Sequence, residues 1–241
     1  MKRTVTILIA AMLAHFAMNA QDLKVISYNI RNSEEKDGTN SWIYRYAASA
    51  EMIKDQNADI IGVQEALEDQ IFFIEENFKQ YKGTGEYTPV FWNKKTVSML
   101  KSGSFDSSTW ALMKAKKSGN RFYVVNLDLA KTPEGERKAA VSAILDKIAG
   151  INTDSLPVIL LGGFYMKSVA DAEAQMSNAR KTAPKTDNTG TYNNWGKNSD
   201  VIDHILYSGF SACSEYQTVT KKYADRKFVS DHFPLMALLV F

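Results

Sequence analysis

The chain has 241 residues, 45% of them hydrophobic and 23% charged, an ordinary composition for one globular core. Its 29 Lys and Arg against 27 Asp and Glu give no basic excess of the kind that grips duplex phosphates, so nucleic acid is not supported as a partner. Cys213 is the only cysteine, which excludes an intrachain disulfide.

The first twenty residues differ from the rest. Lys2 and Arg3 precede an almost wholly apolar run, residues 4–18, and Asn19-Ala20 offers a small residue before a cut. That is the layout of a secretory signal peptide over residues 1–20, too short to span a bilayer, so the expectation is export without a stable membrane span. Loss of Lys2 and Arg3 leaves 27 basic residues, equal to the 27 acidic ones. Residues 21–241 then form one domain, since no Pro/Gly/Ser-rich linker divides them.

Residues 23–30 read as a strand. Trp42, Tyr46, Ser49/Ala50 and Ile53 recur at helical spacing, which predicts an amphipathic helix over 42–55. Residues 59–65 read as a buried strand closing on Gln64 and Glu65, and 71–78 as a second helix. Short strands are predicted at 86–92, 97–105, 109–115 and 122–129, then a helix over 134–149, a strand at 156–161 and a helix over 166–177. The stretch 178–197 is loop-like, and strands at 200–207, 213–218 and 234–241 complete the chain. Helices alternating with strands argue for sheets covered by helices, while runs of strands without helices argue against a simple parallel sheet.

Polar residues gather where apolar strands end: Asn29, Gln64-Glu65, Asp128, Asp203-His204 and Ser230-Asp231-His232. Strand ends are rigid platforms, and carboxylates with an Asn are oxygen ligands suited to a hard cation. His204 is expected to be packed rather than catalytic. Trp110 is expected in the core, Trp195 at a loop contact, and the Lys114-Ala-Lys-Lys117 run at a solvated hairpin end.

Six ordered motifs carry a resemblance. They are Leu23-Lys-Val-Ile-Ser-Tyr-Asn-Ile-Arg31, then Trp42 and Arg45 with Ala58-Asp-Ile-Ile-Gly-Val-Gln-Glu65, and Gly85-Glu-Tyr-Thr-Pro-Val-Phe-Trp92. Leu156-Pro-Val-Ile-Leu-Leu-Gly162, Ile202-Asp-His-Ile205 and Ser230-Asp-His-Phe-Pro234 follow. Together they resemble the endonuclease/exonuclease/phosphatase superfamily over essentially all of residues 21–241. The resemblance implies an α+β fold, a four-layer α/β-sandwich of two mixed β-sheets face to face flanked by helices. It implies descent from divalent-metal-dependent phosphoester hydrolases acting on phosphoester-containing small molecules, lipids or nucleic acids.

Carried over by position, His232 is the catalytic histidine and Asp203 its orienting partner. Glu65 is the principal ligand of Mg²⁺ or Mn²⁺, supported by Asn29, with Asp231 close to the metal. The pattern breaks in three places. The family's Gly-Asp-Phe-Asn reads Gly162-Gly163-Phe164-Tyr165, and its Asn-Thr-His-Leu reads Asn126-Leu-Asp128-Leu129. The water-orienting Asp is therefore Gly163, the phosphate-contacting Asn is Tyr165, and the second His is Asp128. Two readings stay open. In one, a pseudoenzyme keeps the fold and a ligand or metal without turnover. In the other, Glu65, Asp128, Asp231 and Asn29 make a more acidic metal site that hydrolyses an unusual phosphoester, or that binds Ca²⁺.

Overall fold

The computed structural model describes residues 22–241; the predicted signal peptide, residues 1–20, lies outside the described residues. Strand β1 (Asp22–Asn29) runs along the middle of the first sheet. Helix α1 (Trp42–Gln56) follows and stops at Asn57, which takes a left-handed conformation with φ 42°. Then come β2 (Ile60–Gln64), α2 (Glu68–Asn77), β3 (Tyr81–Thr84) and β4 (Val90–Asn93). Three consecutive antiparallel strands open the second sheet: β5 (Val97–Phe105), β6 (Ser108–Ala115) and β7 (Arg121–Asp128). Helix α3 (Arg137–Ile151), β8 (Val158–Gly163), the short helix α4 (Ala170–Glu173) and β9 (Ser177–Asn178) follow. The short helix α5 (Ala179–Thr182) leads to β10 (Asp203–Ser208), β11 (Ala212–Thr218) and β12 (Leu235–Val240).

The two sheets have six strands each, ordered β11-β12-β1-β2-β4-β3 and β5-β6-β7-β8-β10-β9. Both are mixed, with one parallel pair at each centre, β1 with β2 and β7 with β8. Alternation along these strands builds the layers. Leu23, Val25, Val124, Ile159 and Leu161 meet between the sheets. Ile26 and Tyr28 face the other way, onto Ala48, Met52 and Ile53 of α1 and Ile74 of α2. Val125, Leu127 and Leu160 face Val141, Ile144, Leu145 and Ile148 of α3. The expected four-layer sandwich is therefore the fold.

The local differences have physical reasons. Strand β3 is an edge strand in which only Tyr81 is buried, too little apolar signal to read from sequence. The helix expected over 166–177 shrinks to α4, because Met166 gives its carbonyl to the His204 ring and the chain there stays irregular. The loop-like 178–197 holds α5 and a 3-10 turn at Asn194–Gly196.

Register decides where the site lies. Parallel pairing sets Asn29 beside Gln64 and Asp128 beside Gly163, and antiparallel pairing sets Gly163 beside Asp203. The carboxyl ends of β1, β2, β7 and β8 and the amino ends of β10 and β12 thus share one end of the sandwich. Gly162, at φ 135°, lies against the Leu127 carbonyl where a Cβ would run into backbone; no other residue lets β7 and β8 approach so closely there.

Candidate functional site

His232 precedes β12 and Asp203 opens β10; both are buried, with 2% and 4% of their surface exposed. His232 Nδ1 lies 2.9 Å from Asp203 Oδ2 and 3.1 Å from Oδ1. Thr191 fixes the aspartate: its hydroxyl donates to Asp203 Oδ2 at 2.6 Å and accepts from the Asp203 amide at 3.1 Å. Burial by itself would push the His232 pKa down. Asp203 outweighs it, with Asp231 and Glu65 behind, and the imidazole is pushed up to about 9. His232 is therefore a charged donor at neutral pH. The rings of Tyr192 and Tyr165 flank it, with centroids at 4.8 and 5.9 Å.

Glu65 lies just past β2, in a left-handed conformation with φ 60°. Its Oε1 accepts from Asn29 Nδ2 at 3.0 Å and from the Tyr165 hydroxyl at 3.2 Å. Its Oε2 faces the Asn32 amide and side chain at 3.5 and 3.4 Å. Asn29 Nδ2 also donates to the Tyr165 oxygen at 3.3 Å, while Asn29 Oδ1 accepts from the Arg31 amide at 2.9 Å. Asp231 binds the Ser230 hydroxyl at 3.2 Å through Oδ1, and its Oδ2 lies 3.7 Å from Arg31 Nε. Burial raises the Asp231 carboxyl, against the pull of His232 and Arg31. Arg31 is itself clamped by both oxygens of Asp37 at 2.9 and 3.1 Å.

Asp128 ends β7 and is 5% exposed. Its Oδ1 accepts from the Ala130 amide at 2.9 Å, and its Oδ2 is buried without a partner among the described residues. Burial, with Glu65 and Asp203 adding to it, pushes this carboxyl up to about 6, although the Ala130 amide and His232 pull the other way. Gly163 and Tyr165 belong together. A Cβ on residue 163 would lie 2.8 Å from Tyr165 Cε2 and 3.6 Å from Asp203 Oδ1. The tyrosine ring fills the space that a side chain at 163 needs. Arg137 holds it there, donating to the Tyr165 carbonyl at 2.7 Å with its guanidinium 5.6 Å from the ring centre.

The structure thus brings Asn29, Glu65, Asp128, Asp203, Asp231 and His232 to one end of the sandwich. It does not assemble the acids into a cation site. Among the described residues, no three His, Cys, Asp or Glu side chains group as metal ligands. The reason is visible in their partners. Asn29 turns its N–H to Glu65, Asp128 turns Oδ1 to the Ala130 amide, and Asp231 faces Arg31. The Mg²⁺ or Mn²⁺ that the family implies, and the Ca²⁺ alternative, do not fit this donor-lined arrangement.

His204 is packed as expected: Nε2 meets the Met166 carbonyl at 2.9 Å and the ring lies edge-on to Phe164. Trp110 is only half-buried, stacked on Phe105 between the second sheet and α3. Trp195 lies against Arg45, whose guanidinium is 5.4 Å from its ring centre. Sequence reasoning missed Arg31, Thr191 and Tyr192, which reach the centre from loops. It also missed the tie between sheets, in which Asn126 accepts from Gln64 at 2.7 Å and donates to the Val63 and Pro89 carbonyls at 2.7 and 2.9 Å. Beside Glu65 opens a cleft of ≈ 670 Å³, with Arg31, Asn32, Tyr87 and Lys131 among its walls.

Two mixed sheets lie face to face between helices, with a His–Asp pair and a strand-end glutamate where the parallel strands finish. The chain belongs to the Endonuclease/Exonuclease/phosphatase family, whose profile matches residues 26–232. No curated protein matches significantly in sequence. Among solved structures, the endonuclease/exonuclease/phosphatase from Bacteroides vulgatus is 25% identical with a TM-score of 0.81, over 91% of this chain and 98% of that one. A mannosyl-6-phosphatase from Bacteroides thetaiotaomicron is 24% identical with a TM-score of 0.81, over 91% of this chain and 100% of that one. D. rerio TDP2, solved with a single-strand DNA product, is 15% identical with a TM-score of 0.73, over 91% and 99%. The last two likenesses concern the fold alone.

Proposed function

We propose that this is an exported family member that has lost phosphoester turnover and keeps its centre for binding. The observation that carries the reading is the Tyr165 ring, 2.8 Å from where a side chain on residue 163 would begin. Hydrolysis needs a group that orients or deprotonates water, and that group ordinarily contributes ~10²–10⁴-fold. Here its position is a glycine and its space is filled. Asp128 adds a carboxylate where phosphate oxygens would need a donor, and like charges repel. What remains is a charged His232 and, beside Glu65, a cleft whose wall carries Arg31, Lys36 and Lys131 together with Glu34 and Glu35. The three cations are what would hold the phosphoester of a small molecule or lipid there, away from Asp128 and without cleavage. The export reading rests on Lys2, Arg3 and the apolar run behind them.

The alternative is an active hydrolase with a rebuilt site. One observation favours it: Asp128, pushed up to about 6 and with an unpartnered Oδ2, has the ionisation of a general base. One assay separates the two. The purified chain is tested against p-nitrophenyl phosphate, bis-p-nitrophenyl phosphate, mannose 6-phosphate and plasmid DNA, with Mg²⁺ and Mn²⁺. Background rates are expected. Robust turnover that both His232→Ala and Asp128→Asn abolish establishes the rebuilt hydrolase instead. Gly163→Asp combined with Tyr165→Asn and Asp128→His is expected to recover measurable activity.

A further inference from the structure

Glu65 stands where the family keeps its cation, yet its carboxylate is satisfied without one. Four protein donors face it: Asn29 Nδ2 at 3.0 Å, the Tyr165 hydroxyl at 3.2 Å, and the Asn32 side chain and amide at 3.4 and 3.5 Å. The first two meet on a single oxygen, Oε1. A hard cation needs oxygen lone pairs at 2.0–2.6 Å and would have to displace such donors.

The Asn29 amide cannot simply turn to supply its oxygen. Its Oδ1 accepts from the Arg31 amide at 2.9 Å, so a flipped amide would set its NH₂ against another N–H. Asn29 therefore points a donor at Glu65, and the Tyr165 hydroxyl completes the cover. Everything around Tyr165 serves that placement. Gly163 leaves room for the ring, and Arg137 grips the carbonyl and lies beside the ring. The Tyr165 amide donates to the Ile202 carbonyl at 2.9 Å, and φ of 54° turns the side chain inward. A non-glycine residue in this conformation is uncommon and persists where its surroundings hold it.

We propose that Tyr165 is an internal replacement for the divalent cation: its hydroxyl, with the Asn29 amide, occupies the place at Glu65 and keeps the centre metal-free. The residue at 165 then decides cation occupancy. The inference deepens the proposed loss of turnover and rests on that reading of the centre, but it is read out by cation binding.

The test is Mn²⁺ titration of the purified chain, followed by the electron paramagnetic resonance signal of free Mn²⁺ and by calorimetry. Wild type is expected to show no stoichiometric site at Mn²⁺ below ~1 mM, weaker than about −4 kcal/mol of binding. Tyr165→Phe keeps the ring and removes only the hydroxyl. It is expected to tighten Mn²⁺ binding by roughly tenfold to a hundredfold, the scale of one hydrogen bond to a charged group. Tyr165→Asn is expected to bind at least as tightly, and Glu65→Gln added to either variant to abolish the site. Stoichiometric binding by wild type that Glu65→Gln removes overturns the proposal. So does failure of both Tyr165 variants to bind more tightly than wild type. Phosphoester turnover by wild type without cation would overturn the proposed function and leave this inference standing. A Glu65-dependent Mn²⁺ site without turnover would do the reverse.

Discussion

Asp128→Asn is expected to stabilise the protein, and only above the pH at which Asp128 ionises. The carboxyl is 5% exposed, one oxygen has no partner among the described residues, and Glu65 and Asp203 add negative charge to its surroundings. Its ordinary value lies near 4, and in the fold it is pushed up to about 6. The fold therefore holds this proton more tightly than the unfolded chain does. Stability is greatest while Asp128 is neutral in both states, falls as pH rises from about 4 to about 6, and stays lowered above that. The difference between the two states corresponds to about 3 kcal/mol at pH 7 to 8. Asparagine keeps the oxygen that accepts from Ala130 and removes the charge, but leaves an NH₂ where Oδ2 was unpartnered. Setting ~1–2 kcal/mol against the gain for that buried donor leaves a net of about 1–2 kcal/mol. For a domain of this size the melting temperature should rise by roughly 2–8 °C.

The assay is thermal and urea denaturation of wild type and Asp128→Asn at pH 4, 5, 6, 7 and 8. The difference between the two proteins isolates Asp128, because other carboxyls titrate in both. A gain that appears between pH 4 and 6 and then levels off is the expected result. A difference that is the same at pH 4 and pH 8, or a loss at pH 8, refutes the account of Asp128 as a costly buried charge.

Gly163→Ala should cost about 1–3 kcal/mol because its Cβ meets the Tyr165 ring, and below ~1 kcal/mol in a Tyr165→Asn background; additive losses in urea denaturation would uncouple the two positions. Asp203→Asn or His232→Gln removes one member of a buried charged pair and should cost about 3–5 kcal/mol. Because His232 is raised to about 9, the pair's contribution is complete below pH ~6.5 and lost as pH rises through about 9. The alkaline fall in wild-type melting temperature should be absent from both variants. Arg45→Met strips donors from the Ile30, Val229 and Arg31 carbonyls at 2.9, 2.8 and 3.1 Å. The loss should exceed ~2 kcal/mol, the penalty of one buried carbonyl left unmet, with faster amide hydrogen exchange around residues 229–232.

What could be read from sequence was whatever strand periodicity and motif order dictate. Residues 59–65 are apolar until Gln64 and Glu65, so the strand and its polar end were both legible, and β2 ends within a residue of that reading. Edge strand β3 and the collapsed helix near residue 166 were not, because one is held by pairing with β4 and the other is kept irregular by His204, partners distant in the chain or marked by no local pattern. The same division runs through the site. Asn29, Glu65, Asp128, Asp203 and His232 sit on strand ends whose register fixes them, while Arg31, Thr191 and Tyr192 arrive from loops that no local periodicity positions. Most of all, sequence presents Gly163 and Tyr165 as two separate departures, a lost acid and an enlarged amide. In the fold they are one rearrangement: the ring of one lies in the space of the other, and its hydroxyl reaches the carboxylate on the opposite sheet. An acid restored at 163 alone would run into the Tyr165 ring, and Tyr165→Asn alone leaves the acid missing, which is why recovery of turnover needs both changes.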